Sequence, residues 1–237
     1  MIRDEWPHLF FDSELHHPND ARYVSGQDQF DVDTKTEKFL EQFNVYRDIY
    51  EKLETKRRRD LKVRLLDIGK QVRCGGRSWI RHDLEEIAAW KGLPASMLMM
   101  DDWRDFECRL ESALRIEDKS SRVSALCDIR GMGPILASTV SMFTWPDTYG
   151  FMDHHTNNAL RLLGFNFPRK HYTTRFTTRQ LLTYLEIVRS LGGTKRVSSM
   201  EIAEALCALD RAITRNNRRE NDALSQLLIM VDGSWRS

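Results

Sequence analysis

Apolar residues recur at steps of three and four along most of the chain. Phe39, Phe43, Tyr46, Tyr50 and Leu53 form one stripe, and Leu61, Leu65, Leu66 and Ile68 a second, beyond the basic run Lys56-Arg57-Arg58-Arg59. That spacing places apolar side chains on one face of a helix. A helix is predicted over 83–90, with an acidic first turn that suits the helix dipole and with Lys91-Gly92 closing it. Phe106, Leu110, Ala113 and Leu114 predict a short helix, and 123–129 another. Leu181, Leu182, Leu185, Val188 and Leu191 predict a helix ending at Gly192-Gly193. Ala203, Leu206, Leu209 and Ile213 predict the next, capped by Ser198 or Ser199 with Glu201 and Glu204 near its start. No segment reads as a strand, so the pattern predicts an all-α fold. Residues 1–35 read as an irregular N-terminal arm anchored by Trp6, Leu9, Phe10 and Phe11, and 36–237 as one helical domain.

Within that pattern, residues 125–164 stand apart. A helix ends near Leu126 and Ile129, the chain runs Gly131-Met132-Gly133-Pro134, and a second helix starts at Ile135. Glycines one residue apart supply backbone freedom that a Cβ removes, and Pro134 suits a first helical position. The segment therefore predicts a tight turn with free amides at the second helix's start, where a phosphate can be held. Eighteen positions beyond Ile135, after Tyr149 and Phe151, stands Asp153, followed by His154, His155 and a new helical pattern. An Asp before a helix is a common N-cap, so a capping role and a chemical one are both open.

Composition narrows the partners only slightly. The 237 residues are 41% apolar and 30% charged, with a formal net charge of +1. No global basic field advertises nucleic acid. Basic residues do cluster at 56–59, at Arg169-Lys170-His171 and at Arg215 with Arg218-Arg219, each read first as a solvated helix end. Cys74, Cys108, Cys127 and Cys207 are far apart in sequence and predict reduced thiols rather than a metal or iron–sulfur centre. His16-His17 read as exposed rather than as ligands, and the methionine-rich 97–100 with Trp103 as adaptable core. A polar, basic connector with Tyr172 and Arg175 is expected at 168–178, and a short apolar run at 227–231 precedes Trp235. With no signal pattern and no apolar run of membrane-spanning length, an intracellular, soluble protein is expected.

The hairpin and the Asp loop together resemble the helix-hairpin-helix base-excision DNA glycosylases, the HhH-GPD superfamily. Ile129, Gly131-Met132-Gly133 and Ala137 fill the hairpin positions of that family, and Phe151-Met152-Asp153 its Asp loop, without insertion between them. The clear likeness covers residues 123–164. It implies a two-lobed helical fold with a cleft between the lobes, the N- and C-terminal helices forming one lobe and the hairpin region the other. It also implies a base flipped from double-stranded DNA and cleaved at its N-glycosidic bond, with Asp153 stabilising the sugar cation and orienting water. Gly131, Met132, Gly133 and Ile135 would hold the backbone of the DNA, and the hairpin carbonyls in the family tend to hold a monovalent cation; no other cofactor and no metal is expected. The chain departs from the family's bifunctional members at Ile135, where those carry a lysine, so the resemblance implies a monofunctional enzyme without lyase activity, acting as a monomer.

The loop Arg73-Cys74-Gly75-Gly76-Arg77-Ser78-Trp79 reads either as an ordinary interhelical turn or as a DNA-facing loop, with Arg73 and Arg77 on phosphate and Trp79 lining the pocket. Trp90, Tyr149, Phe151 and His155 are the other candidates to line a base pocket. The substrate class is a modified or damaged base. Relatives implicated in phage defence make bulky glucosylated cytosines one candidate. Two alternatives stay open: a catalytically inert hairpin protein that grips abasic or distorted DNA, and a helical scaffold without nucleic acid, favoured by the near-neutral charge.

Overall fold

The computed structural model describes residues 26–94, 102–167 and 175–216. Expectations for 1–25, 97–100, 168–174 and 217–237, including the N-terminal anchors, His16-His17, Tyr172 and Arg218-Arg219, lie outside them. The described residues form ten helices and no strand: α1 (Gly26–Glu41), α2 (Phe43–Leu53), α3 (Lys56–Arg73), α4 (Arg81–Lys91), α5 (Trp103–Leu114), α6 (Lys119–Cys127), α7 (Pro134–Thr144), α8 (His154–Leu162), α9 (Thr178–Lys195) and α10 (Ser199–Asn216). The all-α expectation holds. No described helix is long and apolar enough to cross a membrane.

Three boundaries differ from the sequence pattern. Among the described residues α1 starts at Gly26 rather than near Thr36, so 26–35, expected as part of the irregular arm, are helical. No proline interrupts 26–35, and nothing there forbids a helix. The stripe from Phe39 to Leu53 is also carried by two helices, because Gln42 leaves helical geometry at φ −89 and ψ 8. The apolar period survives the break because Phe39 and Tyr46 stack across it, their ring centroids 5.6 Å apart. At the other end, α9 runs through Gly192-Gly193 to Lys195. A Cβ at position 192 would lie 2.9 Å from the Val197 carbonyl oxygen, so this glycine serves the returning chain and does not end the helix.

Two helices organise the packing. One is α7, with every residue from Leu136 to Thr144 buried, set among α3, α4, α6 and α9. Three of its four hydroxyls bond back to its own carbonyls, Ser138 and Thr139 to Ile135 O at 2.8 and 2.7 Å and Thr144 to Val140 O at 2.8 Å, while the buried Ser141 hydroxyl has no partner among the described residues. Close approach of α3 depends on Gly69, whose missing Cβ would stand 2.0 Å from the Phe143 carbonyl oxygen. The other is α10, packed on α2, α8 and α9. Its start is a reciprocal cap, Ser198 Oγ accepting from Glu201 N at 3.2 Å and Glu201 accepting from Ser198 N at 2.9 Å.

The buried face of α10 is not wholly apolar. Glu204 and Asp210 lie among Ile202, Leu206 and Leu209, each less than a tenth exposed. Lys62 of α3 meets Glu204 at 2.7 Å and Glu54 at 3.9 Å, and the Tyr50 hydroxyl donates to Glu54 at 3.1 Å. Burial raises Glu204 against the pull of Lys62. This ionic seam ties α2 and α3 to α10.

Candidate active site

The hairpin between α6 and α7 forms as the glycine spacing predicts. Gly131 has φ 90, a left-handed conformation that a side chain would strain. Met132 is fully buried and its amide donates to Ile129 O at 2.9 Å, which pins the turn to the core. Gly133 is the N-cap of α7, at φ −67 and ψ 169, and offers no side-chain cap; Pro134 follows at the first helical position. The first-turn amides of a helix have no acceptor within it. A Cβ at Gly133 would meet nothing within 4 Å, so there is open space beside the N-cap of α7. Ile135 is half-buried against the core at this end.

After α7 the chain turns back along it. The Met152 amide donates to Ser138 Oγ at 3.0 Å, and the Phe151 carbonyl accepts from Tyr184 Oη at 2.6 Å. Ser138 lies five residues, about 7.5 Å of helix rise, from Gly133. The Phe151–Met152 peptide, one residue before Asp153, is thus held between Ser138 of α7 and Tyr184 of α9.

Asp153 caps α8, and it does more than cap. Its Oδ1 accepts from Thr156 N at 2.9 Å, while the Thr156 hydroxyl accepts from Asp153 N at 3.0 Å. Its Oδ2 meets Lys91 Nζ, from the last turn of α4, at 2.5 Å. The lysine side chain is 3% exposed and the aspartate 13%. The ammonium lies over the faces of Phe151, 4.1 Å from its centroid, and Trp90, 5.6 Å away. Burial by itself would raise the Asp153 carboxyl. The charge and hydrogen bond of Lys91, the Thr156 amide and His155 outweigh that and hold it well below the usual carboxylate range.

Beside this pair, His155 Nδ1 and Asp210 Oδ2 are 2.6 Å apart, which joins α8 to α10. The His154 and His155 rings touch, with centroids 3.8 Å apart. Burial, followed by the His155 charge, lowers His154 to about 4, so it is neutral at pH 7. Cys207 also lies close, its thiol pushed up to about 12 by burial and by the Asp153 charge, and so protonated and inert.

The other candidates fall into two groups. Trp90 and Phe151 do reach Asp153, but as packed walls behind Lys91. Trp90 stands edge-on to Phe143 and Phe151 at 5.2 and 5.5 Å, and neither ring is more than 2% exposed. Trp79 and Tyr149 belong elsewhere. The Trp79 indole donates to Thr144 Oγ1 at 3.2 Å at the far end of α7, six residues and about 9 Å beyond Ser138. Its ring is 1% exposed, so the turn-with-core-aromatic alternative describes this loop. Tyr149 is buried, with its hydroxyl shared between Arg122 Nη1 and the Lys119 carbonyl, both at 3.2 Å. Arg77 is engaged by Asp83, the acidic first turn of α4, and Arg73 is exposed at the end of α3. A separate groove of about 590 Å³ lies between α5 and α6, walled by Ala113, Ile116, Ala125 and Ile129, and excludes Asp153.

Sequence reasoning missed Lys91, Asp210 and the Ser138 hydroxyl. The available signal for Asp210 was an acid on an otherwise apolar helix face; Lys91 gave none beyond its place at a helix end. Among the described residues no group of three or more metal-ligating side chains occurs. Comparison with protein-family models, with curated proteins and with solved structures returns no match to this chain.

Proposed function

We propose that this chain is a DNA N-glycosylase of the HhH-GPD type. On this reading it takes a modified or damaged base out of the duplex and hydrolyses its N-glycosidic bond to leave an abasic site. The observation that carries the reading is an ionised, largely buried carboxylate, Asp153, whose approach is tied through Ser138 to α7, a helix with open space at its glycine N-cap. The hairpin grips the backbone through the Gly131 and Gly133 region, which brings the sugar of an extruded nucleotide towards Asp153. As the bond to the base lengthens, positive charge grows on the sugar ring, and a nearby fixed carboxylate stabilises that charge and orients the incoming water. The hairpin carbonyls remain the place for a monovalent cation. Ile135 supplies no amine, and the hydrolytic route needs none.

The test separates grip from chemistry. Gly133→Asp keeps an extended backbone, meets open space and adds a favoured N-cap, so thermal melting is expected to be unchanged or slightly higher. A negative charge at the helix start should nonetheless abolish DNA binding at low salt in a shift assay. Asp153→Asn retains the cap and is expected to bind DNA while releasing base about 10³-fold more slowly, read by mass spectrometry of the freed base. Release by Asp153→Asn at the wild-type rate would end the catalytic assignment.

One observation favours the inert alternative. Both oxygens of Asp153 already have partners, which a purely structural cap would also show. Hairpin-dependent binding with no base released by the wild-type protein, from any of a panel of modified DNAs, would establish that reading.

A further inference from the structure

The site that holds Asp153 also holds a cation, and this limits what can leave from it. Lys91 is 3% exposed, bonded to Asp153 Oδ2 at 2.5 Å and seated on the Phe151 ring at 4.1 Å. An ammonium has three N–H donors; among the described residues Asp153 is the acceptor for Lys91. Aromatic faces stabilise the charge without taking an ordinary hydrogen bond. Donors therefore remain on the ammonium, and the neighbouring Asp153 and His155 side chains keep 13% and 16% exposure.

Resting on the glycosylase reading, we propose that Lys91 is a catalytic residue that stabilises the departing base, and that the substrate class is a neutral base that leaves as an anion. When a neutral base departs, the C1′–N bond breaks with its electron pair going to the base, and the sugar becomes cationic. Asp153 then faces the positive sugar while Lys91 donates to an oxygen or nitrogen of the negative base. Water adds to C1′, and the proton it loses neutralises the base anion, so charge and atoms balance. The two protein charges are matched to the two charges that separate, which is where fixed dipoles and charges lower a barrier most.

The same geometry discriminates against the other large group of labile bases. An N7- or N3-alkylated purine is already cationic and leaves neutral. No negative charge develops for Lys91 to meet, and the ammonium, paired with Asp153, offsets the attraction that the carboxylate alone would have for a cationic base. His154, neutral at pH 7, adds no charge to that balance.

The experiment compares base release by the wild-type protein from duplexes carrying uracil, glucosylated hydroxymethylcytosine or 7-methylguanine, with Lys91→Gln and Asp153→Asn alongside. Wild type is expected to release a neutral pyrimidine and to leave 7-methylguanine at the spontaneous rate. Lys91→Gln, checked for folding by circular dichroism, is expected to lose about 10²-fold on the neutral base, with its relative rate on 7-methylguanine rising. Wild-type release of 7-methylguanine but of neither pyrimidine, lost in Asp153→Asn, would overturn this inference while leaving the glycosylase reading intact. An equal fall on every base in Lys91→Gln would also overturn it, since Lys91 would then only position Asp153. No release from any duplex would remove both.

Discussion

Lys91→Met is expected to destabilise the protein by about 3–5 kcal/mol at pH 7, measured by urea unfolding. The substitution is close in volume and keeps the contacts with Phe151 and Trp90, so the loss is electrostatic. It leaves the Asp153 carboxylate largely out of water with the Thr156 N–H as its remaining hydrogen-bond donor among the described residues. In the wild type the Asp153 carboxyl is depressed, and its pairing contributes stability above the ordinary carboxylate pKa that is lost as the pH falls. In Lys91→Met the sign reverses. Burial is no longer opposed by the ammonium, the carboxyl shifts upward, and protonation relieves the penalty. The gap between the two proteins should therefore narrow from pH 7 towards pH 4. Asp153→Asn strands the lysine instead, and the double variant Lys91→Met/Asp153→Asn should be more stable than either single change, the coupling read as a double-mutant cycle. Additive losses would show that the pair contributes nothing as a pair.

Gly69→Ala is expected to cost more than about 3 kcal/mol, at the high end for one added methyl. The new carbon would sit 2.0 Å from the Phe143 carbonyl oxygen, 2.5 Å from its carbon and 3.0 Å from Thr144 N, all backbone atoms of α7. No rotamer change relieves such a contact, so α3 must move away from α7 and disturb the Trp79–Thr144 bond beside it. Alanine is otherwise the better helix former, so propensity alone predicts a gain of about 1 kcal/mol, and urea unfolding decides between opposite signs.

What could be read in advance follows from how far apart the partners lie in sequence. The hairpin, the start of α7 at Pro134 and the cap at Asp153 are local, written in glycine spacing, proline placement and an acid before a helical period. The lysine that faces Asp153 is 62 residues away, and the aspartate that faces His155 is 55 away. Neither has a spacing rule, because each depends on how two helices register against a third. Aromatics misled for a related reason. Trp79 and Tyr149 carry the same apolar bulk whether they line a cleft or fill a core, and only the partners of their polar atoms, Thr144 and Arg122, show which. Gly192-Gly193 has the composition of a terminator, yet the close pass of Val197 explains the glycine inside a continuous helix.

The Ser138 hydroxyl links two parts that the chain itself keeps far apart. It donates to Ile135 O in the first turn of α7 and accepts from Met152 N, one residue before Asp153. The link between the first turn of α7 and the backbone that carries Asp153 is therefore one side chain long. On the proposed reading it would act as a rigid gauge: the sugar would be measured from the phosphate, and a nucleotide seated out of register would meet a carboxylate that cannot lean over to reach it.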